Sequence, residues 1–234
     1  MIDTFTEYLK TQVRNHSIYV WGAQGQKKPT LSEEWIRKKE RNKHDADRAV
    51  AHWKKEIAEG YGDVLRAFDC SGLGVYFFLR HKLIDHDVSA DGLMKLCRTI
   101  PRDAVKAGDM AFRLQNGRAV HVGYAIGSDR LIEAKGRDDG VVENRIGDWD
   151  RFGRPEFFEK SRALKLTSPY MRGGDVYALQ SALKERGYDP GQLDGIYGKK
   201  TARAVRRFQK DHGLTIDGIA AKQTQEALGL RYDG

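Results

Sequence analysis

The segment from Phe68 to Leu79 places a cysteine directly before a continuous apolar run. Such a run, without alternation of polar and apolar residues, is typical of a buried helix. The pattern predicts that Asp69 caps this helix and that Cys70 lies in its first turn. The free N–H groups and positive dipole end of a helix N-terminus stabilise a thiolate over a thiol. The sequence therefore indicates a nucleophilic cysteine, with Gly72 and Gly74 allowing other backbone or a ligand to approach closely.

A nucleophilic cysteine needs a base, and the best candidate among the seven histidines is His121. It lies in the segment 118–127, which alternates and is rich in β-branched residues as a strand is. Strands are also predicted at 110–114, 131–134 and 140–143, and Asn116-Gly117 is a strong hairpin signal. An antiparallel meander of these strands would bring Glu133 beside His121 to hold its tautomer, although Glu133 could instead face solvent.

The 234 residues carry a net charge of +8, which favours anionic polymers such as nucleic acid or bacterial wall polymers. Charge alone does not choose between these partners. The length allows one medium and one small domain. No stretch has the apolar length needed to span a bilayer, and the first residues show no secretory signal, so synthesis in the cytoplasm is expected.

The second cysteine, Cys97, is predicted to be a small apolar filler, and a disulfide with Cys70 is not expected in an unexported chain. His44 and His52 lack flanking carboxylates at ligand spacing, so we predict no zinc site there. No other metal or cofactor is expected.

Two helical regions precede the cysteine. Residues 3–16 form an amphipathic pattern. Residues 31 to about 60 are highly charged and predict a helix in which Thr30 and Glu33 make a capping box. The basic run 37–43 is interpreted as a solvated helix face, because no aromatic or glycine motif of a nucleic-acid module accompanies it.

Five short motifs follow one another along the chain, namely Tyr19-Val20-Trp21-Gly22, Asp69-Cys70-Ser71-Gly72, Gly108-Asp109, His121-Val122-Gly123 and Ile132-Glu133-Ala134. This ordered set resembles the NlpC-type cell-wall cysteine peptidases of the papain-like superfamily. The resemblance covers residues 1 to about 160 and implies an α+β fold with N-terminal helices packed on an antiparallel sheet.

The resemblance also implies roles for individual residues. Cys70 would be the nucleophile, His121 the base and Glu133 the third polar residue, although family members often carry histidine or an amide at the last position. Tyr19 would line the site near the oxyanion, and Asp69 and Ser71 would help to hold a stem peptide of peptidoglycan.

The last third of the chain contains an Asp-Gly turn followed by a helix twice, at Asp194-Gly195 and Asp217-Gly218. This near-repeat predicts a small all-α unit of three helices. Residues 172–230 resemble the peptidoglycan-binding domain of type 1, which implies a shallow groove near Asp194, Tyr197 and Thr201 that holds glycan or stem peptide. A structural appendage remains the alternative, since turn chemistry alone would explain the glycines.

These observations predict a catalytic domain over residues 1–163, a linker over 164–173 and a wall-binding domain over 174–234. The expected activity is cysteine-dependent cleavage of a stem-peptide amide in peptidoglycan, most simply between D-glutamate and the diamino acid. A monomeric phage-type lysin that reaches the wall after release is expected, without membrane insertion or nucleic-acid binding. The alternatives are an amidase that cuts before L-alanine, a non-catalytic wall-binding or virion protein and, from charge alone, a nucleic-acid binder.

Overall fold

The computed structural model describes residues 1–159, 162–230 and 232. The chain divides into two compact units, which are described separately. Unit 1 consists of residues 1–77 and 87–158, and unit 2 of residues 78–86 and 159–234. Unit 1 is an α+β fold and unit 2 is mainly helical, as the sequence predicts. In the described part of the chain, every helix is too short or too polar to cross a lipid bilayer.

The helices of unit 1 are α1 (Ile2–Arg14), α2 (Glu33–Lys39), α3 (Lys43–Ala58), α4 (Cys70–Arg80, whose last three residues fall in unit 2), α5 (Ala90–Lys95) and α6 (Glu156–Glu159, whose last residue falls in unit 2). The positions of α1 and α4 are close to the predicted ones, whereas the charged segment differs. The single long helix expected from residue 31 is wrong, because the chain breaks between α2 and α3. Each piece has its own cap, since Ser32 accepts from the Trp35 N–H and Asn42 accepts from the Asp45 N–H. Ser32 therefore takes the capping place predicted for Thr30.

Two sheets complete unit 1. The smaller has the order β1-β3-β2, and the larger has the order β4-β9-β5-β6-β7-β8, with antiparallel pairing throughout. Their strands are β1 (Ile18–Tyr19), β2 (Gln24–Gln26), β3 (Ala67–Phe68), β4 (Cys97–Ile100), β5 (Met110–Gln115), β6 (Arg118–Ala125), β7 (Arg130–Gly136), β8 (Gly140–Arg145) and β9 (Arg151–Pro155).

The predicted meander is confirmed as β5 to β8, and β5 turns into β6 through Asn116 and Gly117. Both turn residues have positive φ, of 51° and 76°, which matches the right-handed twist of a tight hairpin. Strands β4 and β9 were not expected. They extend the sheet beyond β5, so that β5 is an interior strand and the edges are β4 and β8.

Aromatic packing joins the helices of unit 1 to the sheet. The Phe5 ring of α1 lies 5.0 Å from Phe77 of α4 and 5.7 Å from Tyr124 of β6. Tyr124 is fully buried, and its hydroxyl donates to the carbonyls of Cys70 and Ser71 at 3.0 and 3.1 Å. This contact fixes the start of α4 against β6, the strand that carries His121.

Unit 2 contains α7 (Gly174–Glu185), α8 (Lys199–Asp211) and α9 (Lys222–Ala227) around one apolar core. The segment 164–173 is not a free linker. Leu164 is fully buried in this core and pairs with Ala220, while Arg172 bridges to Ile196. The predicted boundary therefore shifts, and the segment belongs to the helical unit together with residues 78–86.

Candidate active site

Cys70 is the first residue of α4, and the predicted cap is confirmed. Asp69 accepts hydrogen bonds from the Gly72 N–H at 2.6 Å and from the Ser71 hydroxyl at 3.1 Å through one oxygen. Its other oxygen accepts from the Gly22 N–H at 3.0 Å. Burial raises the pKa of Asp69 above its ordinary value, although these hydrogen bonds act against the rise. The carboxyl group thus ties the first two motifs together.

The two glycines after Cys70 are needed for close approach, as predicted. A Cβ on Gly72 would lie 2.1 Å from the carbonyl oxygen of Ala23, and one on Gly74 would lie 2.5 Å from the Tyr124 ring. Both distances are far inside van der Waals contact. The space beside each glycine is therefore filled by other residues of the same chain.

His121 and Glu133 lie side by side on β6 and β7. The Nε2 atom of His121 is 2.7 Å from Oε2 of Glu133, and Oε1 of Glu133 accepts from Asn144 at 2.9 Å. Glu133 is only 7 % exposed. Burial raises the pKa of Glu133, but the hydrogen bonds from His121 and Asn144 outweigh burial and hold it below its usual value. The contact between His121 and Glu133 that the meander predicts is therefore present.

The structure also brings Cys70 to His121. Burial lowers the pKa of His121, but hydrogen bonds and charge from Cys70 and Glu133 raise it further, to about 9. The imidazole is therefore cationic at neutral pH. Because Nε2 faces Glu133, the Nδ1 atom is the one left for the sulfur. Cys70, His121 and Glu133 thus form one connected chain.

Tyr19 joins this arrangement from β1. Its side chain is 7 % exposed, and burial together with the charges of Cys70 and Asp69 raises the pKa of its hydroxyl, which keeps the proton. The Arg137 guanidinium lies 5.2 Å from the Tyr19 ring and is itself held by the buried Glu40 at 2.6 Å. A protonated hydroxyl can donate to an oxyanion near the sulfur.

The sequence analysis did not identify Trp149, Asn144 or Tyr124 as parts of the site. Trp149 stacks on His121 at 5.7 Å with an angle of 15° between the rings. Asn144 orients Glu133, and Tyr124 anchors the start of α4. The position of Tyr124 three residues after His121 was the one available signal, since a tyrosine in a buried strand needs a partner for its hydroxyl.

The remaining predicted site residues, in unit 2, do not form a surface groove. Tyr197 is fully buried and donates to the carbonyl of Gly218 at 2.8 Å. Thr201 is 1 % exposed, accepts from Gln180 at 3.2 Å and donates to the Pro190 carbonyl. The prediction that these two side chains contact a ligand at the surface is therefore wrong, because both are used inside the unit.

Asp194 is partly exposed and is held within the same network. Its Oδ1 atom accepts hydrogen bonds from the Ile196 N–H and from the side-chain amide of Gln180. The side-chain Oε1 atom of Gln180 accepts from the Gly195 N–H. Gln180 is 1 % exposed. A buried glutamine thus holds the first Asp-Gly turn against the start of α8.

The second Asp-Gly turn repeats this arrangement. Gln209 of α8 donates to Asp217, to the Ile219 carbonyl and to Thr224, and accepts from the Gly218 N–H at 2.9 Å. The near-repeat in the sequence is therefore a repeated hydrogen-bond network, in which a glutamine on one helix fixes the turn before the next helix.

We expect replacement of Gln209 by alanine to lower the free energy of unfolding by about 2–4 kcal/mol, because several buried polar groups lose their partners. Chemical denaturation followed by circular dichroism measures this change. Gln223→Ala is the matched control, since Gln223 lies exposed on α9 and should change stability by less than about 0.5 kcal/mol. Equal stability of the two variants would contradict the structural role of the network.

One group of described residues outside the site has the spacing of metal ligands, namely His16, Glu56 and Glu59. The buried Glu56 contacts His16 at 2.8 Å and His52 at 3.1 Å, and Lys55 lies 3.8 Å from both glutamates. Both carboxylates are therefore already engaged by side chains of the protein. The group contains none of the predicted catalytic residues.

Comparison with known proteins gives two family matches. Residues 52–150 match the NlpC/P60 family, and residues 172–228 match the putative peptidoglycan binding domain. A spore cortex-lytic enzyme of Bacillus cereus is 43% identical over 63 residues, which cover 26% of this chain and 24% of that enzyme. N-acetylmuramoyl-L-alanine amidase CwlL of Bacillus licheniformis is 43% identical over 70 residues, which cover 27% of this chain and 19% of the amidase.

The matched region thus spans about a quarter or less of the length of these curated relatives. Among solved structures, the P60 domain of antigen MAP1204 from M. avium subspecies paratuberculosis is 20% identical, with a TM-score of 0.40. The match covers 65% of this chain and 95% of that domain. The chain therefore carries a region that matches the NlpC/P60 family, followed by a region that matches the peptidoglycan binding domain, in the order that the sequence predicts.

Proposed function

We propose that this protein is a peptidoglycan hydrolase that cleaves an amide bond with Cys70 as its nucleophile. The observation that carries the proposal is the connected set of Cys70, His121 and Glu133. Cys70 lies far from His121 and Glu133 in the sequence. All three residues lie within the region that matches the NlpC/P60 family. A thiol beside a charged, oriented imidazole is the arrangement that activates a cysteine for acyl transfer.

The chemistry follows from the positions of these groups. The sulfur of Cys70 attacks the amide carbonyl carbon, and the negative charge moves to the carbonyl oxygen. In the first turn of α4 the Gly72 N–H is bound by Asp69, whereas the N–H groups of Cys70 and Ser71 have no partner within the helix. These two groups stabilise the oxyanion together with the Tyr19 hydroxyl. The cationic His121 donates its proton to the leaving amine as the carbon–nitrogen bond breaks. A water molecule then gives one proton to His121 as its oxygen attacks the thioester carbon, the carbon–sulfur bond breaks, and the free Cys70 sulfur and the cationic His121 are restored.

The substrate we propose is the stem peptide, cut between D-glutamate and the diamino acid. Unit 2 would hold the wall, and this tethering raises the local concentration of the substrate. The family description of residues 172–228 supports that role. Additional binding of anionic wall polymers, a monomeric state and delivery as a phage-type lysin stay predictions.

Mass spectrometry of digested, purified wall tests the bond. We expect a new free amine on the diamino acid after treatment with the full-length protein. A new free amine on L-alanine would instead identify an N-acetylmuramoyl-L-alanine amidase, the activity named in one of the relatives. An unchanged digest, with the protein still bound to wall, would favour a non-catalytic wall-binding protein.

A further inference from the structure

An open cleft adjoins the catalytic histidine in unit 1. His121 and Glu133 form part of its wall, and Arg113, Lys135, Arg145 and Trp149 form much of the rest. Cys70 is not among its lining residues. The cleft therefore lies beside the imidazole and not around the sulfur.

The cleft carries more positive than negative charge. Glu133 is already bound by His121 and Asn144, and Lys135 is paired with Asp139 at 2.9 Å. Arg113 and Arg145 are both exposed, and within the described residues neither forms an ion pair. Two guanidinium groups with five N–H donors each thus face the cleft without a carboxylate partner.

The fold places Arg113 beside His121. The two residues are direct partners across β5 and β6. The Trp149 ring links them further, because it stacks on His121 and carries the Arg113 guanidinium 4.7 Å from its centre. An anion held by Arg113 would therefore lie beside the imidazole of His121.

The side of the cleft indicates which part of the substrate enters it. His121 must reach the leaving amine to protonate it, so the residue that carries this amine lies next to the imidazole. We propose that Arg113 and Arg145 bind a carboxylate on the side chain of this residue. This inference rests on the proposed function, and it narrows the substrate to stem peptides whose diamino acid carries a free side-chain carboxylate.

The test compares three soluble stem peptides with the full-length protein. They differ only at the diamino residue, which carries a free side-chain carboxylate, the corresponding amide, or no carboxyl group as in lysine. We expect kcat/KM to be about 10- to 100-fold higher for the free acid, the range for a lost charge-assisted hydrogen bond. In Arg113→Gln and Arg145→Gln this preference ratio should fall towards one.

Arg118→Gln is the matched control, since Arg118 is an exposed arginine on the same hairpin outside the cleft. It should keep the preference for the acid. Equal cleavage of the three peptides by the unaltered protein, or a preference that survives in both cleft variants, would overturn the inference while leaving the proposed function intact. Failure to cleave any peptide or intact wall would refute both.

Discussion

Replacement of Cys70 by alanine is expected to lower the rate of wall hydrolysis by about 10⁴-fold or more, because no other group in the site can form the thioester. The variant should still sediment with insoluble wall, since unit 2 is unchanged. The measurements are the clearing of a wall suspension, the release of soluble amines and the fraction of protein that pellets with wall.

Cys97→Ala supplies the matched control. Both cysteines are free, but burial raises the pKa of the Cys97 thiol to about 12, so it is inert at neutral pH. The control should retain hydrolysis, and brief treatment with iodoacetamide should label Cys70 rather than Cys97. Wall clearing that persists without the Cys70 sulfur would remove the hydrolase proposal and leave a binding protein.

Replacement of Glu133 by glutamine should lower kcat by about 10²- to 10⁴-fold and move the alkaline limb of the pH profile to lower pH. Glu133 acts as a positioning residue, and its charge helps to raise the pKa of His121 to about 9. Without that charge the imidazole loses its proton at a lower pH. Hydrolysis by the unaltered protein should therefore decline as pH rises through about 9, and hydrolysis by the variant should decline earlier.

The raised pKa of His121 also makes the stability of the folded protein depend on pH. Because pairing raises the pKa of His121 from 6.5, its contribution to stability is complete below that value and is lost as pH rises through about 9. Glu143→Gln is the control, since Glu143 pairs with Arg130 at the sheet surface and not with His121. A pH profile that moves equally in both variants would argue against a specific effect of Glu133 on the imidazole.

Much of the site was predictable because its parts are signalled locally. Asp69 and Cys70 were marked by the apolar helix that follows them, and Asn116-Gly117 fixed the hairpin that carries His121. Once the strands formed a meander, Glu133 had few places to lie other than beside the histidine. Local turn and cap chemistry therefore determined these positions.

The features that the sequence did not indicate depend on contacts between distant segments. Strands β4 and β9 pair across more than fifty residues, and neither has strong alternation. The break between α2 and α3 lies at Asn42, whose side chain caps the start of α3 within a uniformly charged segment. Gln180 and Gln209 looked like ordinary polar helix residues, because nothing local shows that their amides are buried.

The repeated glutamine network also bears on how unit 2 could change during evolution. Seven positions separate Asp194 from Thr201, and the same step separates Asp217 from Thr224, whereas the spacing from glutamine to aspartate is 14 in one copy and 8 in the other. We therefore expect insertions and deletions to be tolerated between the glutamine and the aspartate of each copy. Between the aspartate and the threonine they should be removed by selection. A tandem duplication that kept the seven-position spacing from aspartate to threonine would add a third copy of the glutamine network.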